Sequence, residues 1–163
     1  MDYWKLYIEQ MSQIISEVEK HDKEGMWNYY PPNKPAAVEQ IIEFEKNIGF
    51  ELDLEYKKFL ESSNGWKAFY QNVDLFGTGD YKDYNKMKYM SEIFQEIDSE
   101  IKENIFPIGV STEDIDLFAI VKTNCVDEGK IIWFAGGEIE RFKNFKVFFE
   151  EMMVYNKREI ELL

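Results

Sequence analysis

Residues 106 to 142 read FPIGVSTEDIDLFAIVKTNCVDEGKIIWFAGGEIERF. Phe106-Pro107-Ile108-Gly109, Leu117 to Val121, Lys130 to Phe134 and Glu138 to Phe142 are short β-prone runs. Turn residues separate them, including Asp127-Glu128-Gly129 and Ala135-Gly136-Gly137. Strands that succeed one another in this way suggest an antiparallel meander, and no βαβ alternation is present to build a parallel sheet.

Working outward, Trp66 to Phe76 is aromatic and irregular, as in a strand or hairpin, and Gly77-Thr78-Gly79-Asp80 is a turn. Met87, Met90, Phe94, Ile97 and Ile101 recur in threes and fours, which predicts a helix with acids on its outer face. Asp53 is a good N-cap for a helix carrying Tyr56, Phe59 and Leu60, and Gly65 can take the left-handed terminal conformation. Pro35 suits a first helical position, with Val38, Ile41, Ile42 and Ile48 along one face until Gly49. Trp4, Tyr7, Ile8, Met11, Ile14, Ile15 and Val18 form one apolar helical stripe, able to pack on the domain or on a partner. Phe145, Phe148, Phe149 and Met152 predict a closing helix, with a charged tail after it. Helices first, strands in the middle and a helix last specify an α+β fold: a mainly antiparallel sheet of about four to six strands with helices packed on one side. The expected organisation is an N-terminal helix and connector over 1–30, the domain proper over 31–156 and a tail over 157–163.

A chain of 163 residues fits one domain that removes roughly 70% of its unfolded surface from water. Cys125 is the only cysteine, so no intrachain disulfide can form and a reducing compartment, the cytoplasm, is expected. Charges interrupt the apolar residues of the first segment, unlike a signal peptide, and the longest apolar runs, Leu117 to Val121 and Ile131 to Ala135, are far too short to span a bilayer. The net charge of −13 repels nucleic acid and anionic lipid, so neither nucleic acid nor membrane is an expected partner, and a cationic protein is the natural complement. The charge is unevenly spread. Glu92, Glu96, Asp98, Glu100, Glu103, Glu113, Asp114 and Asp116 stand against Lys102 alone, so residues 91 to 120 carry −7 of the −13.

Catalytic patterns are missing. His21, the only histidine, lies 104 positions from Cys125, and no Cys/His set has zinc spacing. No EF-hand loop is present either. Gly77-Thr78-Gly79 begins like a dinucleotide fingerprint, but Lys82 stands where the third glycine belongs. Ser99-Glu100-Ile101-Lys102 matches S-x-x-K without its companion elements. No catalytic, cofactor-binding or metal-ligating residue is therefore assigned. Tyrosines among acids do have the composition of a protein interface, rigid amphipathic anchors in a polar rim. On charge and aromatic content the expected partner-binding residues are Trp66, Tyr70, Asp80, Tyr81, Asp83, Tyr84, Glu113, Asp114 and Asp116.

The run Ala37 to Gly65, AVEQIIEFEKNIGFELDLEYKKFLESSNG, resembles the opening helices of the SUKH superfamily: a helix ending in Ile-Gly, a Leu-x element, a Tyr-x-x-Phe-Leu helix and an Asn-Gly stop. Phe106-Pro107-Ile108-Gly109, Asp116 to Ile120, the Gly-Gly-Glu turn at 136 to 138 and the Phe145 to Tyr155 helix follow in the family's order, so the likeness covers about residues 31 to 156. Asp53 departs from the proline the family commonly has after leucine. The resemblance implies a non-enzymatic immunity protein that binds and blocks a cognate toxin domain, often a nuclease with a basic cleft. It carries over no catalytic residue, and the family's other members leave a regulatory adaptor as the alternative. A carboxylate- or metal-dependent hydrolase ranks last.

Overall fold

The meander expected from residues 106 to 142 forms, and the hairpin before it joins the same sheet. The computed structural model describes residues 2–98 and 100–163; Ser99, which opens the S-x-x-K match, lies outside the described residues. Six strands lie side by side in chain order, each antiparallel to its neighbour: β1 (Trp66–Tyr70), β2 (Val73–Leu75), β3 (Ile105–Ser111), β4 (Asp116–Val121), β5 (Ile131–Ala135) and β6 (Glu138–Phe142). Five helices accompany them: α1 (Tyr3–His21), α2 (Val38–Ile48), α3 (Leu54–Ser62), α4 (Tyr84–Gln95) and α5 (Phe145–Leu162).

The α+β class stands, with one correction to how the sheet is covered. Successive side chains of a strand point to opposite faces. Phe118, Ile120, Ile131 and Trp133 therefore enter one core with Trp4 and Met11 of α1, Phe44 of α2, Phe59 of α3 and Phe148 of α5. Leu117, Ala119, Val121, Ile132 and Phe134 enter a second core, against Met87, Met90 and Phe94 of α4. Register keeps the two sets apart, since Phe118 pairs with Trp133 and Leu117 with Phe134. Four helices thus cover one face, as expected, while α4 covers the other. The physical reason is already present in Leu117 to Val121 and Ile131 to Phe134, which are apolar at every position and so need cover on both sides.

The first helix packs on the domain. Its buried stripe of Trp4, Ile8, Met11, Ile15 and Val18 lies alongside α5, with the Trp4 ring edge-on to Phe149 at 5.2 Å. Glu55 of α3 fixes the helix start by accepting hydrogen bonds from Trp4 Nε1 (2.9 Å) and the Tyr3 hydroxyl. Asp22 anchors the connector that follows: its carboxylate accepts from the backbone N–H groups of Met26 and Trp27 and from the Tyr29 hydroxyl at 2.7 Å.

Three boundaries differ from expectation. Helix α2 begins at Val38 rather than Pro35, because the Ala36 N–H is committed to Leu60 O (2.8 Å) and the Gln40 side chain accepts from the Ala37 N–H (2.8 Å). Its buried residues are Ile41 and Phe44, while Val38 and Ile42 are exposed. Helix α4 stops at Gln95, although Ile97 still reaches the second core from the turn beyond it. Acids at Glu96 and Asp98 are unfavourable at a helix C-terminus, whose partial charge is negative. The expected tail is helical to Leu162. Asn156 and Glu159 are buried there. Asn156 donates to Phe69 O (3.1 Å), and Glu159 accepts from Gln71 Nε2 (2.7 Å) and the Tyr70 hydroxyl (3.3 Å).

Asp53 caps α3 as expected, accepting from the Tyr56 N–H at 3.1 Å. The Asn64-Gly65 stop at the end of α3 meets the Gly77-Thr78-Gly79 turn. Asn64 Nδ2 donates to Thr78 Oγ1 (2.9 Å) and the Thr78 N–H to Asn64 Oδ1 (2.8 Å). A Cβ on Gly77 would lie 1.9 Å from Asn64 O, and one on Gly65, where φ is +87°, would lie 2.4 Å from Gly77 N. The glycine-rich turn is thus a latch between two loops.

Candidate functional site

The nine residues expected at a partner surface fall into two groups. Trp66 and Tyr70 belong to the core, only 1% and 9% exposed, and Trp66 Nε1 is spent on Tyr30 O at 3.1 Å. Tyr81 is half-buried, its ring stacked on Phe106 at 5.1 Å and its hydroxyl donating to Pro107 O at 2.8 Å. Burial first, then the neighbouring Tyr56, holds its phenol well above the ordinary range. Asp80 accepts from the Gly77 N–H (2.7 Å) and pairs with Lys86, which also reaches Asp74 at 3.4 Å. Asp116 accepts from Trp133 Nε1 at 2.8 Å. These five therefore make contacts within the fold: Trp66 and Tyr70 are buried, and Asp80, Tyr81 and Asp116 are partly exposed with hydrogen bonds of their own. The composition of a cap or latch and that of an interface rim overlap, which is why sequence alone groups them.

Asp83, Tyr84, Glu113 and Asp114 remain exposed. Asp83 caps α4 through the Lys86 N–H (3.1 Å), leaving Tyr84 as the first residue of that helix and 78% exposed. Glu113 and Asp114 lie in the turn between β3 and β4. Ser111 Oγ accepts from the Asp114 N–H (2.8 Å) and the Glu113 N–H (3.3 Å) while donating to Asn72 Oδ1 (2.8 Å). From the other side, the Tyr89 hydroxyl of α4 donates to Asp114 O at 2.5 Å. The turn is held at both ends, so its acids are presented on a fixed frame.

Burial, then the charges of Asp114, Glu113 and Glu92, raises the Tyr89 phenol above its ordinary value. Glu92 comes from α4, as Tyr89 does, and Glu113 and Asp114 from the turn that the Tyr89 hydroxyl holds. Among the described residues, no ion pair joins Glu92, Glu96, Glu113 or Asp114 to a lysine or arginine, not even to Lys88 one turn before Glu92. An apolar groove of about 230 Å³ lies beside Tyr89 and Glu92. Tyr89, Ile93, Ile97 and Phe134 line it, Ile115 closes one wall, and Glu92 and Glu96 form the rim. Sequence reading missed Tyr89, Ile93 and Ile115 as members of a site. The available signal was an isoleucine set among acids, Glu113-Asp114-Ile115-Asp116, where a solvated turn has no need of one.

Among the described residues no cluster of three or more histidine, cysteine, aspartate or glutamate side chains could hold a metal ion. None of their helices is long and apolar enough to cross a membrane. Residues 35–151, from the approach to α2 through the first part of α5, match the SMI1 / KNR4 family (SUKH-1). The chain belongs to that family. The SUKH-1 match includes the whole sheet, α4 and the groove, while α1 and the end of α5 lie outside it and share the core with it. SUKH-1 membership is consistent with an immunity-protein type of role, implies a protein partner, and agrees with a binding function in place of catalysis. No curated protein matches the chain.

Proposed function

We propose that this chain is a non-enzymatic immunity protein that acts in the cytoplasm, binding and neutralising a cognate bacterial toxin domain with a basic, nuclease-type surface. The observation that carries the reading is that Tyr89 ties α4 to the β3–β4 turn, two elements whose exposed acids Glu92, Glu96, Glu113 and Asp114 have no ion-pair partner among the described residues. A cleft built to hold phosphates presents lysines and arginines, and a fixed set of carboxylates can occupy it as a mimic. Charge of one sign gathered on one side also speeds encounter with an oppositely charged partner.

The test uses the toxin domain encoded beside this gene, purified and titrated with the full chain. Stoichiometric binding, protection from toxicity and an association rate that falls steeply with added salt are expected. Absence of binding at low salt would eliminate the reading, and a salt-independent association rate would remove the steering part of it. Simultaneous reversal of Glu113 and Asp114 is the informative variant, since Asp116 is tied to Trp133 and its replacement would disturb the sheet.

A further inference from the structure

We propose that the groove between α4 and the β3–β4 turn takes up a large apolar side chain from a cationic segment of the partner, with Ile115 as the wall it closes against. This deepens the immunity reading and rests on it for the partner's identity. The structure supplies three independent features. First, the groove opens onto the second core: Ile97 and Phe134 form its floor and are buried, so an inserted side chain would contact a packed apolar surface. Second, Ile115 is 51% exposed on a turn pinned by Ser111 and Tyr89. A rigid apolar residue loses little entropy when a ligand covers it. Third, the charged residues lining the groove are of one sign, Glu92 and Glu96 on α4, and the turn that carries Ile115 holds two more exposed acids, Glu113 and Asp114.

The sign of the rim selects the occupant. A second copy meeting this face through a two-fold axis would place Glu92 and Glu96 against their own copies. Like charges directly opposed disfavour that contact, and the chain's −13 adds to the repulsion. A nucleic acid or an anionic lipid is repelled for the same reason. A neutral apolar segment would fill the groove but leave the carboxylates unmatched. A peptide segment with a leucine, isoleucine or phenylalanine between lysines or arginines satisfies both parts, because its basic heads reach the rim while the central side chain enters the groove. Division of labour follows: charge governs how fast the partner arrives, and the buried anchor governs how long it stays.

Two synthetic peptides of identical charge, one with leucine between lysines and arginines and the other with serine in that position, provide the probe. The isotope-labelled full chain is titrated with each and followed by amide chemical shifts. The leucine peptide should bind about tenfold or more tighter than the serine peptide, the range expected for burying one such side chain. Its shifts should centre on Tyr89, Ile93 and Ile115. Ile115→Ser should abolish the preference between the peptides, whereas the double variant Glu92→Lys, Glu96→Lys should weaken both. Equal binding of the two peptides to the natural chain, or shifts centred elsewhere, would overturn the inference. Toxin protection separates the two claims. If Ile115→Ser protects as well as the natural chain while the double charge variant does not, the groove is discarded and the immunity reading stands; if the natural chain itself neither binds nor protects, the immunity reading falls.

Discussion

At Gly77 a single methyl group is incompatible with the fold. Its Cβ would meet the Asn64 carbonyl at 1.9 Å, and that carbonyl belongs to the backbone, so it cannot swing aside as a flexible side chain would. Gly79, two residues on, has open space around the same position. Gly77→Ala is expected to cost about 2–3 kcal/mol or more in urea denaturation, and Gly79→Ala to stay within ~0.5 kcal/mol of the natural protein. Equal effects would mean that the Asn64 latch is not what the turn is for. Sequence showed the glycines and the turn, and it rejected the dinucleotide fingerprint because of Lys82. It could not show that the turn is fastened to the end of α3, since that contact joins loops fourteen positions apart. Trp66 and Tyr70 illustrate the converse. An aromatic ring on a short strand suits a core or an interface equally, and only its neighbours decide.

Helix α4 breaks a local rule at the face proposed for docking. Its lysines, Lys86 and Lys88, stand in the first half and its acids, Glu92 and Glu96, at the end, the reverse of what the helix dipole favours. Charges placed against the dipole cost a few tenths of a kcal/mol each, and such departures are expected where function needs them. Glu92→Lys and Glu96→Lys are therefore each expected to raise stability by ~0.3–1 kcal/mol, read as an increased urea midpoint. Both should weaken toxin binding. A variant that loses stability and affinity together would show that the acids support the helix, contrary to the proposal. The end of α4 was misplaced from sequence because Ile97 and Ile101 continue the helical spacing, and Ile97 does reach the core, but from a turn. Periodicity records which residues are buried and says less about the backbone that carries them.

Across the molecule, α1 is bound into the larger core instead of standing apart as an adaptor's arm. Trp4 packs among Phe59, Phe145 and Phe149 and shares Glu55 with Tyr3. Trp4→Ala is expected to cost about 3–5 kcal/mol, the usual range for emptying such a site. Removing residues 2 to 22 should leave a chain that binds apolar dye and unfolds without a cooperative transition; a truncated chain with a sharp thermal transition would refute this. The tyrosines set a limit at high pH. Tyr56 is buried and donates its hydroxyl to Phe76 O at 2.7 Å, Tyr81 donates to Pro107 O, and burial raises both phenols above their ordinary value. A folded pKa raised above the unfolded one contributes stability that is present below about pH 10 and lost as pH rises further. The urea midpoint should therefore fall steeply above that pH, with ionisation of these phenols coinciding with loss of the helical signal. Ionisation in a chain that remains folded would contradict the assigned bonds.

The sequence by itself determined the α+β class, the antiparallel meander, the family likeness, the Asp53 cap and the concentration of acids between residues 91 and 120. Each depends on residues close along the chain, where spacing, turn chemistry and net charge are local properties. Tertiary structure alone decided that α4 covers the second face, that Trp66 and Tyr70 are buried in the core, and that α4 and the β3–β4 turn, tied by Tyr89, flank an apolar groove. Those facts depend on strand register and on helix placement across the sheet, which bring together side chains whose local sequences contain no record of one another.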